Sequence, residues 1–177
     1  NIDQLLLSHN DADHAGGVDF FRAYFAALPF TGPETCTHQK SWLWDGVRFT
    51  TLQARGLRTD NDRSCTLLVE TATQAAYLSG DISAQAERLL LNDLPQEITF
   101  LLSPHHGSAT SSSIGFVRHL SPKIVVHSCG RRNRYGHPHP TVLRRYIWEE
   151  SLQINTGASG AVQWCSNAPL KVITERR

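Results

Sequence analysis

Ser8-His9-Asn10-Asp11-Ala12-Asp13-His14-Ala15-Gly16-Gly17 sets two imidazoles and two carboxylates within six residues, directly after the apolar run Ile2 to Leu7. A buried strand that ends in a ligand-rich turn and a glycine pair can hold cations without bending regular structure. Imidazole nitrogen and carboxylate oxygen suit zinc or manganese, and paired sites of this kind generate hydroxide at neutral pH. The simpler alternative is a polar turn whose Asp and His cap a helix starting near Gly17. Capping would use one Asp, and it accounts for neither the second Asp nor the two histidines.

Three further segments place polar groups at the ends of apolar stretches. Leu78-Ser79-Gly80-Asp81 ends one with an acid, which is a ligand or else the cap of the helix that follows. Leu102-Ser103-Pro104-His105-His106-Gly107-Ser108 ends another with adjacent imidazoles. On extended backbone neighbouring side chains point apart, so one of the two would be a direct ligand and the other would meet substrate. Asn133-Arg134-Tyr135-Gly136-His137-Pro138-His139-Pro140 is a donor-rich turn, readable either as part of a site or as a solvated loop with Pro140 starting a helix.

The elements that must position these groups follow from periodicity and breakers. Helical spacing is predicted over 18–28, 84–92, 113–120 and 141–150. Strands are predicted over 47–52, 65–70, 74–78, 98–102, 124–127, 161–164 and 170–173, besides the opening run 2–7. Strands that end in polar residues and lead into helices argue for a layered α/β fold with its site at the strand ends.

A chain of 177 residues fits one compact domain with a sizeable core. Its 40% hydrophobic and 19% charged residues exclude a disordered or fibrous protein. The net charge of +1 gives no global basic field, so a polyanion would have to be held locally. Arg131-Arg132-Asn133-Arg134 and Arg144-Arg145 offer that local charge. No apolar run reaches the length of a membrane span, and the start does not read as a signal peptide. Because the ligand cluster follows Asn1 so closely, residues 1–177 are expected to be a single hydrolase domain, a soluble fragment from the C-terminal part of a longer polypeptide. Cys36, Cys65, Cys129 and Cys165 contain no C-x-x-C pair, which excludes a sequence-local zinc knuckle. The last three fall in apparent strands, where buried thiols are expected. The redox compartment stays open.

Taken together these segments resemble the metallo-β-lactamase superfamily, and more closely the C-terminal domain of ComEC-type bacterial competence proteins. The resemblance rests on residues 8–17, Asn61-Asp62-Arg63-Ser64-Cys65, Gly80-Asp81, Pro104-His105-His106-Gly107-Ser108 with Thr110-Ser111-Ser112, and Asn133-x-Tyr135-Gly136-His137-Pro138, in family order. It implies a four-layer αβ/βα sandwich, with the first sheet short at its N-terminal side. The superfamily pattern His-x-His-x-Asp-His carries Asp11 at its second His, as is typical of the ComEC-like branch. A hard oxygen there shifts preference toward manganese or magnesium.

By position, the resemblance implies two divalent ions, manganese or zinc. His9 and Asp11 would hold one, Asp13 and His14 the other, with Asp81 bridging and His106 completing the second site. Where such chains often read Leu-His-Pro, this one has Leu52-Gln53-Ala54, a weaker ligand that would leave the His9/Asp11 site weak. The implied reaction is phosphodiester hydrolysis, two cations about 3.5–4 Å apart clamping the phosphate during in-line attack. Asp13 would orient the nucleophile, and His105 or His137 would protonate the leaving oxygen. Ser108, Thr110, Ser111 and Ser112 would cradle phosphate at a helix N-terminus, and Arg131, Arg132 and Arg134 would contact the backbone of single-stranded DNA. In family context the domain would sit outside the cytoplasm, attached to the rest of a channel protein in the bacterial inner membrane, and degrade the strand that is not imported. A small-molecule phosphodiesterase on the same scaffold and a degenerate, non-catalytic DNA-binding module remain open beside it.

Overall fold

The computed structural model describes residues 2–25 and 27–167, together with the backbone of 172–175. The elements in chain order are β1 (Leu5–Leu6), α1 (Ala12–Ala15), α2 (Val18–Tyr24), β2 (Phe30–Thr31), β3 (Lys40–Trp44), β4 (Val47–Leu52), β5 (Thr66–Glu70), β6 (Ala75–Leu78) and α3 (Ala84–Leu90). They continue with β7 (Phe100–Leu102), α4 (Ile114–Leu120), β8 (Ile124–His127), α5 (Pro140–Trp148), β9 (Leu152–Asn155), α6 (Thr156–Ser159), β10 (Ala161–Trp164) and β11 (Val172–Glu175).

Strands β3 to β9 form one mixed sheet in sequential order. The first four are antiparallel, with short turns joining β3 to β4 and β5 to β6 and a longer loop, residues 53–65, joining β4 to β5, and β6 to β9 run parallel. Parallel neighbours need crossovers, which α3, α4 and α5 provide. Alternation along β7 and β8 divides the core. Leu101 and Val125 face the helices, packing with Ile82, Leu90, Phe116, Leu120, Val142 and Tyr146. Ile124 and Val126 face the other way, where Phe100, Leu102 and Trp164 cover them. On that side β10 pairs with β11 as a separate antiparallel ribbon. The parallel pair β1–β2 forms another small sheet, with Phe21 and Phe25 beside Leu5 and Phe30. The first sheet is therefore short, as the sequence led us to expect, and the fold is the expected α/β sandwich.

Helix starts follow their caps. The Ser83 hydroxyl accepts from the Gln85 amide at 3.2 Å, Ser113 accepts from Phe116, and the His139 ring accepts from Thr141 ahead of Pro140. The buried Glu87 carboxylate accepts from the amides of Ser112 and Ser113, occupying donors at the start of α4.

Several expectations are corrected. The opening strand is confined to β1, the first long helix ends at Tyr24, and the helix over 84–92 tightens into a 3-10 turn at Leu91–Asp93. Elements β2, β3, β9, α1 and α6 were not anticipated. Of the strand expected over 170–173, residues 170 and 171 lie outside the described residues. Cys65 is not a free thiol: it forms a disulfide with Cys36. Cys129 is half-buried and Cys165 exposed, each just outside a strand.

Candidate metal centre

The polar segments meet at one edge of the sheet, where parallel α/β strands present their carboxyl ends. The exit of β1 is fixed by the Cys65 amide, which donates to the Ser8 carbonyl at 2.7 Å. Gly80 makes the close approach possible. At its φ of +56°, a Cβ would lie 2.9 Å from the Ser64 Cβ and 3.0 Å from that of Ser8. Any side chain there would push apart the two segments that back the site.

Asp81 stands at the centre and is 4% exposed. One of its oxygens is 3.2 Å from His14 Nε2. The other is 3.4 Å from His106 Nε2, 3.7 Å from His105 Nε2 and 3.8 Å from His9 Nε2. Burial by itself would raise this carboxyl, but hydrogen bonds and charge from His106 and His14 outweigh it and hold it far below the ordinary carboxylate range. Asp81 does not cap α3, since Ser83 does, and the Ser83 amide is itself held by Asp62. Neither Asp11 nor Asp13 caps a helix with its side chain: α1 and α2 have no side-chain cap.

Two groups of ligand atoms lie within 4.8 Å of one another: His9, His14 and Asp81, and Asp13, His14 and His106. Asp13 is 3.2 Å from His106, and Asp11 is 3.6 Å from His9. All six expected ligands thus converge, although His14 belongs to both groups and Asp11 stands at the edge of the first.

The donors fit a divalent cation on two counts. His9 Nε2 is buried without a hydrogen-bond partner, facing carboxylates on two sides. Burial, followed by His14 nearby, lowers the His9 pKa against the opposing pull of Asp81 and Asp11, so the ring presents a lone pair at neutral pH. Each ring is also oriented through its other nitrogen. The Ser8 hydroxyl oxygen lies 3.1 Å from His9 Nδ1 and 3.2 Å from His14 Nδ1. His106 Nδ1 donates to the Ser128 carbonyl at 2.6 Å. Partners of this kind fix tautomer and direction for metal ligation. His106 is pushed up to about 9, chiefly by its bond to Asp81, so a cation must displace a proton there.

The geometry at His105 and His106 corrects the alternation argument. The segment Pro104–Gly107 is a 3-10 turn in which both histidines have left-handed backbone, φ +50° and +56°. Both rings reach Asp81. What separates them is the second set of contacts: His106 also meets Asp13 and His14, whereas His105 Nδ1 lies 3.5 Å from the Thr110 hydroxyl. The neighbouring hydroxyls are corrected more strongly. Ser111 and Ser112 are buried, Ser111 donating to the Pro104 carbonyl and Ser112 accepting from Tyr146. With Glu87 on the helix amides, they cannot cradle a phosphate. Ser108 is buried and bonded to Thr110, and only Thr110 is exposed.

Gln53 does not act as the replaced ligand either. Its amide donates to the carbonyls of Pro33 at 2.8 Å and Arg63 at 2.7 Å, clamping two loops together. Gln53→Ala is therefore expected to cost about 1–3 kcal/mol of stability, two net hydrogen bonds, with metal affinity unchanged. Urea unfolding and a metal titration check the two halves. A weakened metal site with normal stability would return Gln53 to the ligand set.

The loop between β8 and α5 completes the site. Asn133 donates to the Gly130 and His137 carbonyls and accepts from the His137 amide, so the loop is tied down. The His137 ring lies 5.9 Å from that of His105. Burial first, then the charges of His105 and His106, lower its pKa. Asp13, Asp81, His105, His106 and His137 line a cleft of about 690 Å³. Gly130, Asn133 and His137 also line an adjoining hollow of about 540 Å³, walled by Arg131 and Arg132. Arg134 is exposed beside them.

Fold and clustered side chains together define a mixed α/β domain whose central sheet is flanked by helices and whose strand ends gather two groups of histidines and carboxylates suited to hold a divalent metal. The chain is related to bacterial competence proteins. It is 34% identical over 174 residues to competence protein ComA of Neisseria gonorrhoeae and 32% identical over 174 residues to recombination protein 2 of Haemophilus influenzae. In each case 92% of this chain is covered, but it spans only 25% and 22% of those proteins' length. A solved structure of a Parabacteroides distasonis protein has a similar fold, with a TM-score of 0.57 at 12% identity over 88% of this chain and 76% of that one. No protein-family model matches the chain.

Proposed function

We propose that this domain hydrolyses the phosphodiester bonds of a DNA strand, using two divalent ions, as part of a longer ComEC-type uptake protein. The observation that carries the reading is the run of the cleft. The ligand cluster opens into one hollow, and a second hollow, walled by Arg131 and Arg132, shares Gly130, Asn133 and His137 with it. A small diester would need only the first; a polyanion uses both.

His9, Asp11 and Asp81 would hold one ion, and Asp13, His14, Asp81 and His106 the other. Manganese suits this mixture of imidazoles and hard carboxylates. Bound there, the ions supply a Lewis-acid clamp on the phosphate and water of lowered pKa. Asp81 lies between the two groups, one oxygen beside His14 and the other beside both His9 and His106, and would be shared by both ions. Asp13, 65% exposed at the cleft, orients the attacking water. His105 lines the cleft with Nε2 beside Asp81, where it delivers a proton to the leaving oxygen. His137 is depressed and neutral near pH 7, which suits it to orient a phosphate oxygen rather than to act as the charged acid.

The Cys36–Cys65 disulfide supports a place outside the cytoplasm, since such bonds persist in oxidising compartments. Among the described residues no helix is long and apolar enough to cross a membrane, so attachment to the inner membrane would come from elsewhere in the longer protein. A strand-degrading role in DNA uptake accords with the relation to a competence protein. Manganese-loaded protein is expected to cleave an end-labelled single-stranded oligonucleotide. Turnover of a small bis-aryl phosphodiester with the oligonucleotide left intact would favour a small-molecule enzyme, and DNA binding with neither substrate cleaved would make the domain a binding module.

A further inference from the structure

The β8–α5 loop carries a ring that neither the core nor the ligand cluster uses. Tyr135 lines the cleft and is 66% exposed. It stacks on His137, with centroids 5.7 Å apart and planes inclined by 17°. His137 meets His105 edge-on, and His105 reaches Asp81. The Arg134 guanidinium rests 4.8 Å from the Tyr135 centroid and also donates to its hydroxyl. A series of planar groups therefore leads from the central carboxylate out to solvent.

This ring is pre-placed, because Asn133 ties its loop from both sides and the His139 amide donates to the Gly107 carbonyl. An exposed tyrosine adds little to folding. Rigid on the lip of the cleft, it offers a flat apolar face at low entropic cost to a ligand. The guanidinium lying on it marks what that ligand resembles: a planar, delocalised group. An exposed cation–π contact is weaker than base–aromatic stacking, so an arriving base displaces Arg134 and frees its charge for the phosphates.

Resting on the phosphodiesterase reading above, we propose that Tyr135 is a base-stacking platform that selects nucleic acid with unpaired bases, taking the nucleobase beside the scissile phosphate. In a duplex the faces of interior bases are covered by their neighbours, so only an unpaired or terminal base reaches the ring.

The test is fluorescence anisotropy of the whole chain, in chelator to prevent cleavage, with two labelled 12-mers of equal charge: oligo-dT and a fully abasic strand. Wild type is expected to bind oligo-dT about tenfold more tightly than the abasic strand, the effect of one lost stack. Tyr135→Ala should bind both strands with the weaker affinity, and Tyr135→Phe should restore the preference, since stacking needs no hydroxyl. Equal wild-type affinity for the two strands overturns the proposal. So does a Tyr135→Ala variant that keeps the preference, or one that loses affinity equally for both. Hydrolysis is read separately with bis(p-nitrophenyl) phosphate and manganese. Base-dependent binding without turnover refutes the phosphodiesterase reading and leaves the platform standing. Turnover without base dependence refutes the platform alone.

Discussion

Asp81→Asn is expected to lower phosphodiester turnover a thousandfold or more while the protein stays folded. The residue is buried, and its two oxygens face four imidazoles from two segments of the chain. A carboxylate so placed is the one group common to both proposed ion sites. An amide keeps its shape and removes its charge, so both ions lose alignment together. A thousandfold loss corresponds to about 4 kcal/mol of transition-state stabilisation, well above what one surface ion pair supplies. Circular dichroism and urea unfolding establish the fold, and steady-state turnover gives the rate. A folded variant with the wild-type rate would refute the bridging role, whereas a variant that merely unfolds points to structure.

The second large effect is expected at His105. Replacing it removes the proposed proton donor, and losses of about a hundred- to ten-thousandfold are usual for such groups. The variant of choice is His105→Asn, because position 105 has φ +50° and Asn tolerates left-handed backbone better than Ala. The diagnostic is the leaving group. DNA expels a poor alkoxide and should show the full loss. A p-nitrophenolate leaving group needs no proton and should be nearly indifferent. An equal loss on both substrates would assign His105 to positioning, and a selective loss in His137→Ala instead would exchange the two roles.

Much of the arrangement was legible in the sequence because its decisive features are local. The ligand-rich turn at 8–17, Gly80-Asp81 and the histidine pair each end a short apolar run, and strand ends on one sheet edge must meet. Most strands of the main sheet were also readable from alternation, β8 to the residue. What escaped depends on contacts distant in sequence. Nothing local signals that Cys36 finds Cys65, that Glu87 occupies the amides of Ser112 and Ser113, or that Gln53 bridges two loops. Extended backbone was the natural assumption for His105 and His106, and the two positive φ angles beside Gly107 replace it with a turn. Strand β3 could have been found, since Asp45-Gly46 between Trp44 and Val47 is a strong hairpin signal, and both residues have positive φ.

The central claim is that these histidines and carboxylates hold two divalent ions. Calorimetric titration of manganese into the chain tests it directly. The account predicts two ions per chain for the wild type, with proton release as His106 gives up its proton, and the loss of both sites in Asp81→Asn. Absence of binding by the folded wild type, or undiminished two-ion binding by Asp81→Asn, would contradict it.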